Sequence, residues 1–434
     1  MLLEVSVCDS PSGWEPLAQP WQRLAAGQPM RSYRWARLWW EHCTTDTDEP
    51  FVLAVHDRRQ AVQALLPWYR QRHRWLGRVL RWLGDRVVAT DHLDLLAHPP
   101  AAAQAISQLA RFLLRTARGN ARRSEALWDM IHLEAVPCGA NHTLWLLQRL
   151  QSEGLQLWWR PDQGHWQLPV PESWEAMLRQ LSKSHRKQLR RLERTYLASG
   201  RVAVSTARGG PQLEHAFRLL VALHQKRWQS RGEPGCFACE AFTRFHRQVV
   251  QQGLDGGSAR LWHLMLDGKA VAAEYQLRAA RGWMLYQGGL DPQALAHQPG
   301  RLALVLTLQE AIRNRVPVLD FLRGDEPYKA HFRAIRYPCA QVRVLAPALG
   351  CRLRHAGYLA AHRAKWRMLA WQISPAAKED SPEQAADRHW RLLDGEQLAC
   401  WLSQGGPDPL LAQEECVPAG AEERALAAGA RPGG

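Results

Sequence analysis

Ala259-Arg-Leu-Trp-His-Leu-Met-Leu266 runs into Asp267-Gly268 and comes back as Ala270-Val-Ala-Ala-Glu-Tyr-Gln-Leu277. Two apolar runs joined by Asp-Gly are a hairpin signal, because that dipeptide accepts the positive φ of a tight turn. In the returning run Val271, Ala273, Tyr275 and Leu277 share one face, and Glu274 and Gln276 share the other. Trp283 to Gly288 adds a third strand and completes a meander. Beyond Asp291-Pro292 and Pro299-Gly300 the period lengthens, predicting a helix from Arg301 to Asn314. Val316 to Leu322 reads as a strand ending in Arg323-Gly-Asp-Glu-Pro-Tyr-Lys329, and Gln341 to Leu345 as a last strand. Three antiparallel strands, a helix and two more strands make an α+β unit with one βαβ crossover.

Upstream of the meander, Trp174, Met177, Leu178, Leu181, Leu189, Leu192 and Tyr196 fall on one helical face. They predict a single helix with Ser173 as N-cap and Gly200 as its stop. Its other face carries Arg179, Lys183, Arg186, Lys187, Arg190, Arg191 and Arg194. Further helices are predicted from Pro211 to Trp228 and through Phe242, Phe245 and Val249. The first part of the chain mixes a Trp-rich helix at Trp35–His42, strands at Phe51–Val55, Ala61–Tyr69 and Leu127–Leu133, and helices at Ala101–Arg118 and Asn141–Glu153. Pro161, Gly164, Pro169 and Pro171 cluster at an expected boundary. The division expected is a leading unit over 1–165, a second over 166–346, a basic amphipathic helix over 347–373 and an acidic, partly disordered tail over 374–434.

With 434 residues, 46% apolar and 22% charged, the chain is globular and long enough for two or three domains. No segment is an uninterrupted membrane span, and the N-terminus lacks the pattern of a signal peptide, so a cytoplasmic protein is expected. The net charge of +15 is uneven: residues 374–434 hold 5 basic and 11 acidic residues, leaving 51 basic and 30 acidic elsewhere. Such a surplus favours an anionic partner: a phosphorylated co-substrate, a nucleic acid or the inner membrane face. The cations of residues 179–194 have no interleaved aromatics, so sequence-specific nucleic-acid binding is not expected. Nine scattered cysteines argue against a disulfide framework, and Cys236-Phe-Ala-Cys239 lacks the second pair a zinc site needs, so no metal is assigned.

Pro299-Gly300-Arg301 places a flexible backbone, a helix N-terminus and a cation together, the elements of a phosphate cradle. Ser182-Lys-Ser-His-Arg-Lys, Leu223-His-Gln-Lys-Arg-Trp228, Gly268-Lys-Ala-Val-Ala272, Tyr286-Gln-Gly-Gly-Leu-Asp291, Pro299-Gly-Arg-Leu302 and Asp320-Phe-Leu-Arg-Gly-Asp-Glu-Pro-Tyr-Lys329 occur in this order. The ensemble resembles the CelD-like acetyltransferase group of the GNAT superfamily, associated with cellulose and exopolysaccharide biosynthesis and related to the FemAB peptidyltransferases. Leu65-Leu-Pro67 and Leu83-Gly-Asp85 with Asp91-His-Leu-Asp94 resemble that group's divergent leading GNAT-like region.

The resemblance implies tandem GNAT-like folds, a central mixed sheet flanked by helices, and acyl transfer to an amine or hydroxyl of a sugar or envelope precursor. It implies acetyl-CoA or another acyl-CoA as co-substrate, its pyrophosphate at Gln298, Gly300, Arg301, Leu302 and Ala303. His297 and Leu302 depart from the usual pyrophosphate loop, so a FemAB-like transferase with a tRNA-borne aminoacyl donor stays open, as do a non-catalytic regulatory or scaffold role in polysaccharide biosynthesis and peripheral contact with the inner membrane face. For the chemistry, Asp320 at a strand's carboxyl end is the first candidate base and Glu274 the second. Tyr328 is the candidate acid for the leaving thiolate. Arg323, Lys329, Lys183 and Arg186 are candidates for binding an anionic substrate. The competing reading makes Asp320 a cap of the following turn within a structural knot of Arg323, Asp325, Glu326 and Lys329.

Overall fold

A computed structural model describes residues 3–117, 126–139, 141–372 and 389–403. The first half runs β1 (Glu4–Cys8), α1 (Ala18–Leu24), α2 (Tyr33–Cys43), β2 (Asp48–His56), β3 (Val62–His73), β4 (Gly77–Trp82), a short β5 (Leu96–Ala97), α3 (Ala102–Ala117), β6 (Met130–Pro137), α4 (His142–Ser152) and β7 (Gln156–Pro169). The second half opens with α5 (Trp174–Gln180) and α6 (Lys183–Leu192) and then repeats that order. It runs β8 (Val202–Thr206), α7 (Gly210–Gln229), α8 (Glu240–Asp255), β9 (Ala259–Leu266), β10 (Lys269–Ala279), β11 (Gly282–Leu290), α9 (Pro299–Arg313), β12 (Val318–Arg323), α10 (Pro327–His331) and β13 (Ile335–Leu345). α11 (Leu349–Gln372), β14 (Arg391–Leu392) and α12 (Gly395–Ser403) follow.

All strands join one mixed sheet in the order β1-β2-β3-β4-β6-β13-β7-β12-β11-β10-β9-β8, with β5 on β3 and β14 on β7. The order is a near-palindrome of two meanders. β4 meets β6 in parallel at Val79–Met130 and Leu80–Ile131, just as β11 meets β12 at Gly282–Val318, Trp283–Leu319 and Met284–Asp320. At the centre the halves exchange their last strands: β13 lies between β6 and β7, and β7 lies between β13 and β12. The expected α+β class and tandem GNAT-like arrangement are therefore present. The expected junction at residues 165 and 166 falls inside β7.

One core lies under α3 and α4, including Leu53, Leu109, Ile131 and Leu147. A second lies under α5, α6 and α9, including Leu178, Leu189, Leu264 and Leu308. The third belongs to both halves. It joins Trp35 and Trp39 of α2 to Phe217, Phe245 and Tyr275, with Trp35 edge-on to Phe245 at 4.9 Å.

Several expectations change. The single helix of residues 173–200 is two. Ser173 caps the first by accepting from Ala176 N–H, as expected, but the chain turns extended at Leu181 and Ser182, and Ser182 caps α6 through His185 N–H. A π turn over Glu193–Leu197 ends it. The Pro/Gly cluster near 161–171 is mostly β7, which pairs Pro161 with Ala340 and whose register with β13 slips at Tyr337/Cys339, opposite Gln163 and Gly164. α11 packs back through Cys351, His355 and Leu359, while Leu349 and Leu353 face outward. Of the acidic tail, residues 374–388 and 404–434 lie outside the described residues. Within 389–403, Trp390, Leu393, Leu398 and Trp401 are buried. Among the described residues no helix is long and apolar enough to cross a membrane.

Candidate functional site

β11 and β12 stop pairing after Met284 and Asp320, so the two strands splay apart toward their carboxyl ends. Just beyond, β11 carries a bulge: Tyr275 pairs with Gln287, Gln276 pairs with Leu285, and Tyr286 is the extra residue. A bulge of this kind leaves backbone groups unpaired and re-aims a side chain. Tyr286 Oη donates to Val88 O (3.1 Å) and meets His246 Nε2 at 2.9 Å.

The candidate bases lie on opposite faces of the sheet. Asp320 alternates with Leu319 and Phe321 and shares the side of Val318 and Leu322, which join the core of α2, α7 and α8. It is fully buried. Its Oδ2 lies 2.7 Å from His92 Nε2 and accepts from Gln167 Nε2 at 3.1 Å. Its Oδ1 accepts from Leu322 N–H at 2.7 Å, where Leu322 takes a φ of 57°. Asp320 thus pins the loop before β5 and caps an irregular strand end, and no face of its carboxylate is open to a substrate. This burial and these partners favour the competing expectation, in which Asp320 caps the following turn.

Its neighbours belong to the same knot. Arg323 ion-pairs with Asp91, donates to Ala89 O, and reaches Asp162 at 3.8 Å. Lys329 is buried, donating to the carbonyls of Arg323 (3.1 Å) and Gly324 (2.8 Å) and pairing with Glu326 at 2.9 Å. Both were candidates for binding substrate; both are occupied by protein groups. Asp325 pairs with Arg336 rather than with Arg323. Sequence reasoning assigns no role to His92 or Gln167. The Asp91-His-Leu-Asp94 motif held the signal, since Asp91 and His92 reach β12 while Asp94 Oδ1 accepts from Thr143 N–H at the start of α4.

Glu274 occupies the other face, toward α9. It is partly accessible, yet protein surrounds it closely enough that desolvation pushes its carboxyl up to about 8. It pairs across the ladder with Gly288, where an added Cβ would stand 3.0 Å from its Oε1, so the missing side chain keeps space over the carboxyl. Tyr328, at the start of α10, is held edge-on by Phe321 at 6.0 Å. Burial first, then the charges of Glu326 and Glu274, raise its phenol pKa. The charge of Glu274 is thus felt at Tyr328, which is itself partly exposed.

The N-terminus of α9 borders the space over Glu274, because Leu290, two residues along β11 from Gly288, touches the Cβ position of Gly300 at 3.2 Å. Its anion-binding capacity is small. Pro299 has no N–H, and the amides of Arg301 and Leu302 already donate to Gln298 O at 3.0 and 3.1 Å. Gly300 N–H and the Arg301 guanidinium remain, with Gln298 Oε1 already accepting from Arg301 and from Gln188. Leu302 and Ala303 are fully buried, so their side chains serve the core. Lys183 is exposed at the start of α6; Arg186 is half-buried and donates to Leu181 O at 3.2 Å. Cys236 lies 3.5 Å from His224 Nε2 with its thiol pushed up to about 12 by burial, and Cys239 is exposed. A separate groove lined by Gly210, Leu213, Glu214, Phe217 and Arg247 lies at the end of α7 away from Gly289 and holds none of these groups.

Two GNAT-like halves, a splayed parallel pair and a helix N-terminus at the splay define the class of fold. Residues 183–330, from α6 to α10, match the acetyltransferase (GNAT) domain family. Among solved structures, the chain is similar to FemX, at 10% identity over 75% of this chain and 95% of that one, with a TM-score of 0.52. It is also similar to L-PGS from Bacillus licheniformis (8% identity, 78% and 93% covered, TM-score 0.45) and to a tandem GNAT protein from the clavulanic acid biosynthesis pathway (14% identity, 79% and 98% covered, TM-score 0.38). No curated protein matches the chain.

Proposed function

We propose that the chain is an acyltransferase that moves an acyl group from an acyl-CoA thioester to an amine or hydroxyl of a sugar or envelope precursor, as in exopolysaccharide assembly. The observation that carries this reading is the splay of β11 and β12 with Glu274 on its floor and the start of α9 at its edge. The acceptor attacks the thioester carbonyl while Glu274 takes its proton, and Tyr328, which holds its own proton firmly, supplies one to the departing thiolate. The β11 bulge, which interrupts the ladder at Tyr286, is where a backbone amide could meet the oxyanion between those events. Exposed Lys183 is the cation this reading assigns to an anionic acceptor.

Isothermal calorimetry with acetyl-CoA and longer acyl-CoAs, followed by turnover assays on amino sugars, tests the reading. Saturable binding and a turnover lost in E274Q support it; absence of binding to every CoA ester sinks it. A second reading, transfer of an aminoacyl group from tRNA, is favoured by the thin cradle at Gly300 and by exposed Lys187, Arg190 and Arg191 on α6. Charged tRNA that donates its amino acid where acyl-CoA does not would decide for it.

A further inference from the structure

The first half has a splay of its own. β4 and β6 part after Leu80 and Ile131, as β11 and β12 part after Met284 and Asp320, which puts Arg81 and His132 one residue past the splay. Around this point the sheet gathers cations. Arg343 of β13 stands beside His132 on β6 and Trp158 on β7, and Arg160 of β7 stands beside Gln341. Arg81 lies 3.1 Å from His132 Nδ1. Arg81 is neutralised by Asp85 (2.5 Å) and Glu134 (2.8 Å).

The other two arginines find no such counter-charge among the described residues. Among the described residues, no carboxylate pairs with Arg343 or Arg160. Arg343 is only 4% exposed, and its Nε has no hydrogen-bond partner. Its companions are the Trp390 ring at 3.9 Å, the Tyr358 ring at 5.2 Å and His355 Nε2 at 3.5 Å. Arg160 gives two hydrogen bonds to Gln341 Oε1 and lies 5.2 Å from the same Trp390 ring. The charge is felt nearby: burial first, then Arg343, hold His132 and His355 in their neutral forms, His355 at about 4.

A structural reading gives Arg343 the task of holding the Trp390 segment through a cation–π stack. Such a stack offsets only part of the cost of taking a guanidinium out of water, and the same ring lies farther, at 5.2 Å, from the second charge at Arg160. Two forked guanidiniums with no carboxylate between them among the described residues call for a ligand with about two negative charges. We infer that Arg343, Arg160 and His132 form a second binding site, specific for the phosphate group of a soluble ligand, entered at the half-buried Arg160 beside Trp390.

The test is the thermal midpoint of the full chain at constant ionic strength. The probes are millimolar inorganic phosphate, pyrophosphate and glucose 1-phosphate, against chloride and against phosphatidylglycerol vesicles. The soluble phosphates are expected to raise Tm by about 2 °C. R343M is expected to abolish that rise, while its Tm in chloride equals or exceeds that of the parent because a buried unpaired charge is gone. R160M changes a half-buried residue, tolerates the substitution, and is expected to weaken the response at least about fivefold. The site is overturned by a response confined to vesicles, by no response, by an equal response in R343M and R160M, or by an R343M that loses stability in chloride. E274Q leaves the response intact, so this site and the proposed transferase reaction fail independently.

Discussion

Glu274 and Asp320 have the same functional group and opposite circumstances. Glu274 faces a cleft without a counter-charge, and burial lifts it from an ordinary 4.5 to about 8. Between those values the unfolded chain has lost the proton that the folded chain keeps, so this residue's contribution to stability declines as pH rises through the window. E274Q should therefore gain stability relative to the parent between pH 5 and pH 8.5, on the order of 2 kcal/mol once its partial exposure is allowed for. Urea midpoints at the two pH values check this. The same carboxyl, as base, should give kcat/KM a rising limb near pH 8 and leave E274Q slower by about 10²–10⁴-fold. Asp320 should behave otherwise. D320A strands His92 and the Leu322 amide inside the core, costing about 3 kcal/mol, whereas D320N keeps the shape and should lose stability with acyl-CoA affinity unchanged. Alternation along the strand put Glu274 opposite the apolar face, so its place was legible in the sequence. Asp320 looked cleft-facing because nothing in the second half reveals that Asp91 and His92 close over it.

α6 owes its orientation to the break before it. Leu178, Leu181, Leu189 and Leu192 stay in phase across two extended residues, so apolar spacing alone cannot expose the interruption. The clue was chemical: Ser182 has the capping preference of a helix start. S182A should lower stability by about 1 kcal/mol by chemical denaturation and, by loosening Lys183 and His185, raise KM for the acceptor more than it lowers kcat. The β9–β10–β11 meander was read closely because an Asp-Gly turn and a period of two are local signals. β7 was not, since Pro161, Gly164 and Pro169 look like a linker until β13 supplies a partner with a slipped register.

The exchange of β7 and β13 determines how the molecule holds together. The segment matched to the GNAT domain, 183–330, contains neither strand, and the shared core of Trp35, Phe245 and Tyr275 crosses the halves. Residues 1–165 and 166–346 expressed separately should each remain unfolded by amide exchange, and the intact chain should melt in one transition, visible as equal calorimetric and van't Hoff enthalpies. The repeat was illegible in the sequence because the halves share topology rather than side chains: at the splay Ile131 stands where Asp320 does, and Leu80 where Met284 does.

Seen from the ribosome, that exchange imposes a schedule. β6 and β7 are synthesised early with a vacant slot between them, and the strand that fills it, Ile335–Leu345, is made last of the three. At about 5–20 residues per second the nascent chain carries two open strand edges for roughly ten to thirty seconds. Holding chaperones would meet it in that interval, and slowing translation between residues 170 and 335 should lower soluble yield without altering the finished protein.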